Sequence, residues 1–178
     1  MDIGNPTEES VMLRAMVRDF VDESVEPQAH EHDKHERFNI ELLKSMGEMG
    51  LLGVTASEEY GGAGLDAIAA VIVHEELSAS DPGFALAYLA HSMLFVNNLE
   101  FNGNVEQKER IMPKVCSGEW IAAMAMSEPD AGTDVLGIST TAQQNADGNW
   151  ILNGRKMWIT NGCLDDEGTP ADSVWVYA

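Results

Sequence analysis

Basic side chains are scarce: 10 Lys and Arg stand against 30 Asp and Glu in 178 residues, a formal net charge of −20. A chain of this sign repels phosphate backbones, and its few basic residues form no patch interleaved with aromatics, so nucleic acid is excluded as a partner. Anionic membrane surfaces are disfavoured for the same reason. The acidity is a solubilising surface, not a tail: residues 1–118 hold 8 basic and 21 acidic side chains, and residues 119–178 hold 2 and 9. No apolar run approaches the roughly 18 residues of a membrane span, so no membrane insertion is expected. Met1–Pro6 carries neither the basic and apolar regions of a secretory leader nor an Arg-rich transit signal. Cysteine is limited to Cys116 and Cys163. In a chain of this size the pair reads as free thiols in a reducing compartment, which gives a cytoplasmic expectation.

Several motifs are also missing. Among 16 glycines neither G-x-G-x-x-G nor G-x-x-x-x-G-K-[ST] occurs, which excludes the Rossmann and Walker A readings. No Ser, Cys or Thr lies in a nucleophile elbow. His74-Glu75-Glu76-Leu77-Ser78 lacks the second His of H-E-x-x-H, and His30, His32 and His35 lie in a charged, solvated stretch, so no metal site is expected.

What is present is a 44% hydrophobic chain long enough to bury a core in one or two domains. Leu13, Met16, Val17, Phe20 and Val21 follow helical spacing, and this first helix is expected to end near Pro27. Asn39 caps a second helix that closes at Gly50. Glu58–Gly64 is a Gly-rich loop that needs no ligand as a connection between helices. Residues 65–79 are strongly helical, and 83–100 are apolar on most faces, the mark of a buried helix. Asn104 starts a further helix, in which Pro113 should kink or shorten the last turns before Gly118.

The texture changes after Glu119. Ile121–Met126 reads as a short strand, and Ser127–Asp134 is rich in turn residues. Residues 138–144 and 149–160 flank Asn145-Ala146-Asp147-Gly148, a hairpin signal, with a second turn at Asn153-Gly154. The sequence stops inside an alternating strand, Ser173–Ala178. The expected fold is therefore α+β, an all-α N-terminal domain over 1–118 followed by an incomplete antiparallel β domain over 119–178.

Two segments carry candidate chemistry. Met124–Asp134 combines hydroxyls, exposed amides and Gly132 without Lys or Arg, so it can hydrogen-bond a heteroaromatic edge or a pyrophosphate through neutral donors. In Lys156–Gly162, Trp158 and Thr160 are two residues apart and share a face if the segment is a strand. A planar cofactor resting on Trp158 is one reading, and a core Trp beside a Thr of high β propensity is the other.

Three stretches, "EEYGGAGL" at 58–65, "AMSEPDAGTD" at 125–134 and "NGRKMWITNG" at 153–162, resemble the flavin-dependent acyl-CoA dehydrogenases in the family's order. The stretch from Ala90 to Trp120 is similar to the isovaleryl-CoA or short-branched-chain branch, while the acidic segment 163–172 is longer than that pattern. The resemblance implies a helical N-terminal domain, a middle β domain, and a C-terminal helical domain that this sequence lacks. It implies FAD as cofactor, with Met124, Met126, Ser127, Gly132 and Thr133 on one side of it and Trp158, Ile159 and Thr160 completing its wall. Thr133 would meet the pyrophosphate near the CoA arm, and Thr160 would lie close to flavin N5.

The implied reaction is α,β-dehydrogenation of an acyl-CoA thioester, with the α-proton taken by a carboxylate and the β-hydrogen leaving as hydride to N5. Electrons would pass to electron-transfer flavoprotein, and the full-length protein would be a homo-oligomer, commonly a tetramer. The family's base is a Glu on segments beyond this sequence, so no catalytic residue is assigned, and Glu58, Glu59, Glu75, Glu76 and Glu128 read as surface or turn residues. The 178-residue chain alone is expected to be inactive. An acyl-CoA oxidase and a non-catalytic module are the alternatives. Helix 83–100 would lie near the acyl cavity, its side chains otherwise being core.

Overall fold

The computed structural model describes Gly4 and residues 7–178, so the residues read above for a leader lie, Gly4 apart, outside the described residues. Within them, helices α1 (Glu8–Phe20), α2 (Glu26–Lys34), α3 (Ile40–Glu48), α4 (Ala67–Ser80), α5 (Pro82–Leu89), α6 (Asn97–Asn102) and α7 (Val105–Ser117) precede four strands. The strands are β1 (Ala122–Ala125), β2 (Thr141–Gln144), β3 (Trp150–Asn153) and β4 (Ser173–Val176). Among the described residues no helix is long and apolar enough to cross a membrane.

Helix starts follow local chemistry. Thr7, Asn39, Asp66 and Asp81 each accept from an amide of the first turn they precede, and Asn104 with Gln107 forms a reciprocal capping box. Gly118 closes α7 at φ 80°, a left-handed conformation that costs glycine nothing.

The helix expected to stop near Pro27 continues instead. Val21–Val25 winds as a wider π-turn, in which Glu26 N donates to Val21 O five residues back. Pro27 then falls at the start of α2, directly after this wider turn, with the φ that a helix needs. A second π-segment, Ala90–Val96, joins α5 to α6. Helix α7 runs past the exposed Pro113 to Ser117, so no early ending follows from that proline.

The core lies between α1, α3, α4 and the long α5–α6 unit. Val17, Leu43, Met46, Leu77 and Tyr88 are fully buried, and each large aliphatic among them contributes about 2–3 kcal/mol of burial. Arg14 and Arg18 of α1 clamp Glu76 of α4, with Arg18 Nε 2.9 Å from its Oε2. Burial alone would raise the Glu76 carboxyl; the two guanidiniums outweigh that and hold it below its usual range.

Strand β1 rests directly on the helices. Ile121, Ala122 and Ala123 are fully buried, and the small alanines let the strand backbone approach closely. Here His91 decides the geometry. Its Nδ1 accepts from Ala122 N at 3.1 Å, and its Nε2 lies 2.9 Å from Val115 O. An amide only donates, so Nδ1 must carry the lone pair and Nε2 the hydrogen, a neutral ring. Burial pushes this imidazole down from 6.5 to about 4.

The α+β class is as expected, and Asn145–Gly148 makes the predicted antiparallel hairpin between β2 and β3. The remaining pair differs: β1 and β4 run parallel, Ala122 opposite Ser173 and Ala125 opposite Val176. Asp172 fixes the register, its N donating to Ile121 O and its Oδ2 accepting from Ile121 N at 2.8 Å. Parallel pairing needs a long crossover, here residues 126–172, and no local sequence signal encodes it.

A His91→Leu variant leaves the Ala122 amide and Val115 carbonyl buried and unpaired, and is expected to lose about 2–5 kcal/mol in urea unfolding. In the wild type the unfolded chain takes up this proton near 6.5 and the folded chain only near 4. The stability present above pH 6.5 is therefore lost as the pH falls towards 4, by on the order of 3 kcal/mol, and the Leu variant should lack that part of the slope.

Candidate functional site

The turn after β1 is closed by Glu128 N donating to Ala131 O at 2.8 Å. The Glu128 side chain turns inward and is 4% exposed. Its Oε2 accepts from the Ser139 amide at 2.7 Å and hydroxyl at 2.8 Å. Its Oε1 accepts from Lys156 Nζ at 2.8 Å, the Thr140 amide at 2.9 Å and the Thr140 hydroxyl. The Lys156 ammonium first, then the Thr140 hydroxyl and Ser139 amide, hold this carboxyl far below the usual carboxylate range. Glu128 is thus a turn residue, as read from the sequence, but a buried one.

Lys156 also donates to Met126 O at 3.0 Å, and Met157 N donates to Ser127 O at 2.9 Å. These bonds bring the two candidate segments together. The later one does not arrive as a strand, which corrects the shared-face argument for Trp158 and Thr160. Strand β3 stops at Asn153, and the next residue, Gly154, passes so close to Thr140 that a Cβ would lie 2.2 Å from its Oγ1. Trp158 and Asn161 then take left-handed φ values of 56° and 62°. Trp158 is 81% exposed, so the core-Trp alternative is overturned, while Ile159 and Thr160 are half-buried.

Asn161 ties this segment to the helical domain, its Nδ2 donating to Ala87 O at 2.8 Å and lying 3.4 Å from Ala122 O. Asn is among the few side chains that tolerate the left-handed region, which suits it to this post. The other candidates spread out. Met124 on β1 turns its sulfur towards Asn98 of α6, 4.0 Å away, while Gly132 and Thr133 are exposed further along the turn. Among the described residues neither Gly132 nor Thr133 is hydrogen-bonded to 158–160. Met126 and Ser127 are half-buried at the junction itself.

The junction offers a particular donor set. Among the described residues, the amides and hydroxyls of Ser127 and Thr160 donate to no protein group. The positive charge of Lys156 is balanced by Glu128, so what faces outward is neutral and beside an exposed indole. That set fits the polar rim and flat face of a heteroaromatic ring system. Lys156, Glu128 and Asn161 were missed as positioning groups. The signal available was a first motif with acids and no base, Glu128, Asp130 and Asp134, and a second with bases and no acid, Arg155 and Lys156.

Two grooves lie elsewhere. One, of about 580 Å³, is apolar and lined by Ala67, Ala70, Val71, His74, Leu89 and Met93. His74 Nδ1 donates to Ala70 O at 2.7 Å, its ring 4.8 Å from that of Tyr88. The other, of about 740 Å³, is polar and lies between α2 and the α4–α5 junction. Among the described residues no cluster of His, Cys and carboxylates is arranged to hold a metal.

A helical domain backing a β unit that presents neutral donors at their joint is a scaffold for holding a flat cofactor. The chain belongs to the acyl-CoA dehydrogenase family: residues 7–119 match its N-terminal domain and residues 123–166 its middle domain. It is 44% identical over 173 residues to the mitochondrial isovaleryl-CoA dehydrogenase of Bos taurus, a match covering 96% of this chain and 39% of that protein. Among solved structures it is similar to the acyl-CoA dehydrogenase complexed with FAD from Bacillus anthracis, at TM-score 0.89 and 38% identity, over 100% of this chain and 30% of that one. It is also similar to glutaryl-CoA dehydrogenase from Mycobacterium smegmatis, at TM-score 0.89 and 34% identity, over 97% and 43%. The chain spans about 40% of the length of the curated relatives it matches.

Gly154→Ala drives a methyl group into Thr140 and is expected to cost about 1–3 kcal/mol, read as faster hydrogen exchange at Thr140 with the helical amides unchanged. An acid titration should show the Ser139 and Thr140 amides protected above the ordinary Glu value of 4.5 and losing protection as the pH falls below it, since the folded carboxyl is the stronger acid.

Proposed function

We propose that this chain forms the helical and cofactor-edge part of an FAD-dependent acyl-CoA dehydrogenase acting on a short or branched-chain acyl thioester, with electrons passing to electron-transfer flavoprotein. The observation that carries this reading is the direct joining of 126–128 to 156–157, which brings the free donors of Ser127 to the segment that goes on to Trp158 and Thr160. FAD, when bound, supplies the acceptor for the hydride lost from the β-carbon. This chain's part is to hold and orient: Met126 and Ser127 at the flavin edge, Trp158 and Ile159 as its wall, Thr160 as a donor, and Met124 supporting from β1. Gly132 and Thr133 would extend towards the pyrophosphate, with Thr133 near the CoA arm.

The apolar groove of Ala67, Val71, Leu89 and Met93 is of a size and polarity to take a short branched acyl group, and the helix bearing Leu89 is the one the family resemblance puts beside the acyl cavity. Abstraction of the α-proton belongs to a Glu outside residues 1–178, so the chain alone binds without turnover. We further propose a domain boundary at Gly118-Glu119, tetrameric assembly of the full-length protein, and a reducing, cytoplasmic setting, which two free cysteines support.

The test is the visible absorption of the purified chain after addition of FAD and gel filtration. Flavin bands near protein stoichiometry are expected, and bleaching by a branched-chain acyl-CoA in the full-length protein should follow. Colourless protein at every FAD concentration would overturn cofactor binding by this chain.

A further inference from the structure

Resting on that reading, we infer that Lys156 and Glu128 form a positioning pair that sets the direction of the Ser127 amide, the donor offered to the cofactor edge. The argument begins with the planarity of the peptide unit, whose C=O and following N–H point in opposite directions. Lys156 Nζ holds the Met126 carbonyl at 3.0 Å. The Ser127 N–H belongs to the same plane and must therefore point away from Lys156, out of the junction. Met157 N holds the next carbonyl, Ser127 O, at 2.9 Å, and the following amide, Glu128 N, closes the turn on Ala131. Two consecutive peptide planes are thus locked by two consecutive residues of the other motif.

Lys156 performs this task only if its own position is fixed. Its side chain is 12% exposed, and an ammonium so placed needs a partner. Glu128 is that partner, 2.8 Å away, and is itself held by four donors from Ser139 and Thr140. The chain of control runs from the start of the hairpin through Glu128 to Lys156, and from Lys156 to the 126–127 plane. Both residues act through the backbone and neither touches the cofactor.

The experiment compares the chain with Lys156→Met, Lys156→Arg, Glu128→Gln and the Lys156→Met/Glu128→Gln double variant, by amide hydrogen exchange and by FAD titration. Lys156→Met should speed exchange at residues 127–128 and 157 at least tenfold, with the helical amides unchanged, and weaken FAD binding at least tenfold with altered flavin bands. Lys156→Arg, which keeps a donor, should recover most of both, and guards against a Met variant that fails to fold. Because Glu128 acts through Lys156, the double variant should bind FAD no more weakly than Lys156→Met. Unchanged local exchange in Lys156→Met, or faster exchange with FAD affinity and spectrum intact, overturns the pair's role and leaves the function proposed above standing. Absence of FAD binding by the wild-type chain overturns that function and, with it, the pair's positioning role.

Discussion

A buried imidazole stands at the joint between the two halves of this structure. His91 sits in the middle of the long α5–α6 unit, at the π-segment, and engages the end of α7 with one nitrogen and the first residue of β1 with the other. Both contacts are to main-chain groups that no apolar side chain could satisfy. The ring must be neutral to serve both, and its burial keeps it so. The turn at 126–131 follows directly from β1, while the segment at 161 has a tether of its own to Ala87 through Asn161. The π-turn is what brings the ring to bear, since widening the helix at 90–96 shifts the faces that its residues present.

Charge is handled in the opposite way at the joint between the two motifs. There a full ion pair is kept inside, and each remaining lone pair of the carboxylate is filled by an amide or hydroxyl. Such a closed set suits a low-dielectric place, whereas an open one would not. In a chain with so few basic residues their allocation is informative. Arg14 and Arg18 are committed to Glu76 and Lys156 to Glu128, so a sizeable part of the positive charge fixes geometry between elements distant in sequence.

Local chemistry made much of this legible from sequence. The caps at Asn39 and Asn104, the apolar helix through 84–100 and the hairpin at Asn145–Gly148 each depend on residues a few positions apart, and all are present. The continuation through Pro27 escaped because a π-turn carries no composition of its own. The parallel pairing of β1 with β4 escaped because it joins distant segments. At the candidate site the two stretches picked out do meet, but not through the strand geometry expected of Trp158. What places Trp158 and Thr160 is a close approach at Gly154, a tether at Asn161 and an ion pair at Lys156, and each names a partner far away in the chain.

The parallel alignment of β1 with β4 gives the molecule a timetable as well as a shape. Closing β4 onto β1 ties up a loop of about fifty residues whose entropy is lost before the pairing repays it. The turn, the hairpin and the crossing segment with Trp158 all lie inside that loop. They therefore lose their freedom together when that loop closes and regain it together when the β1–β4 pairing opens. A ligand that bridges 127 and 160 would act as a cross-link within this loop, so its occupancy would govern how long the β unit survives as much as what it does.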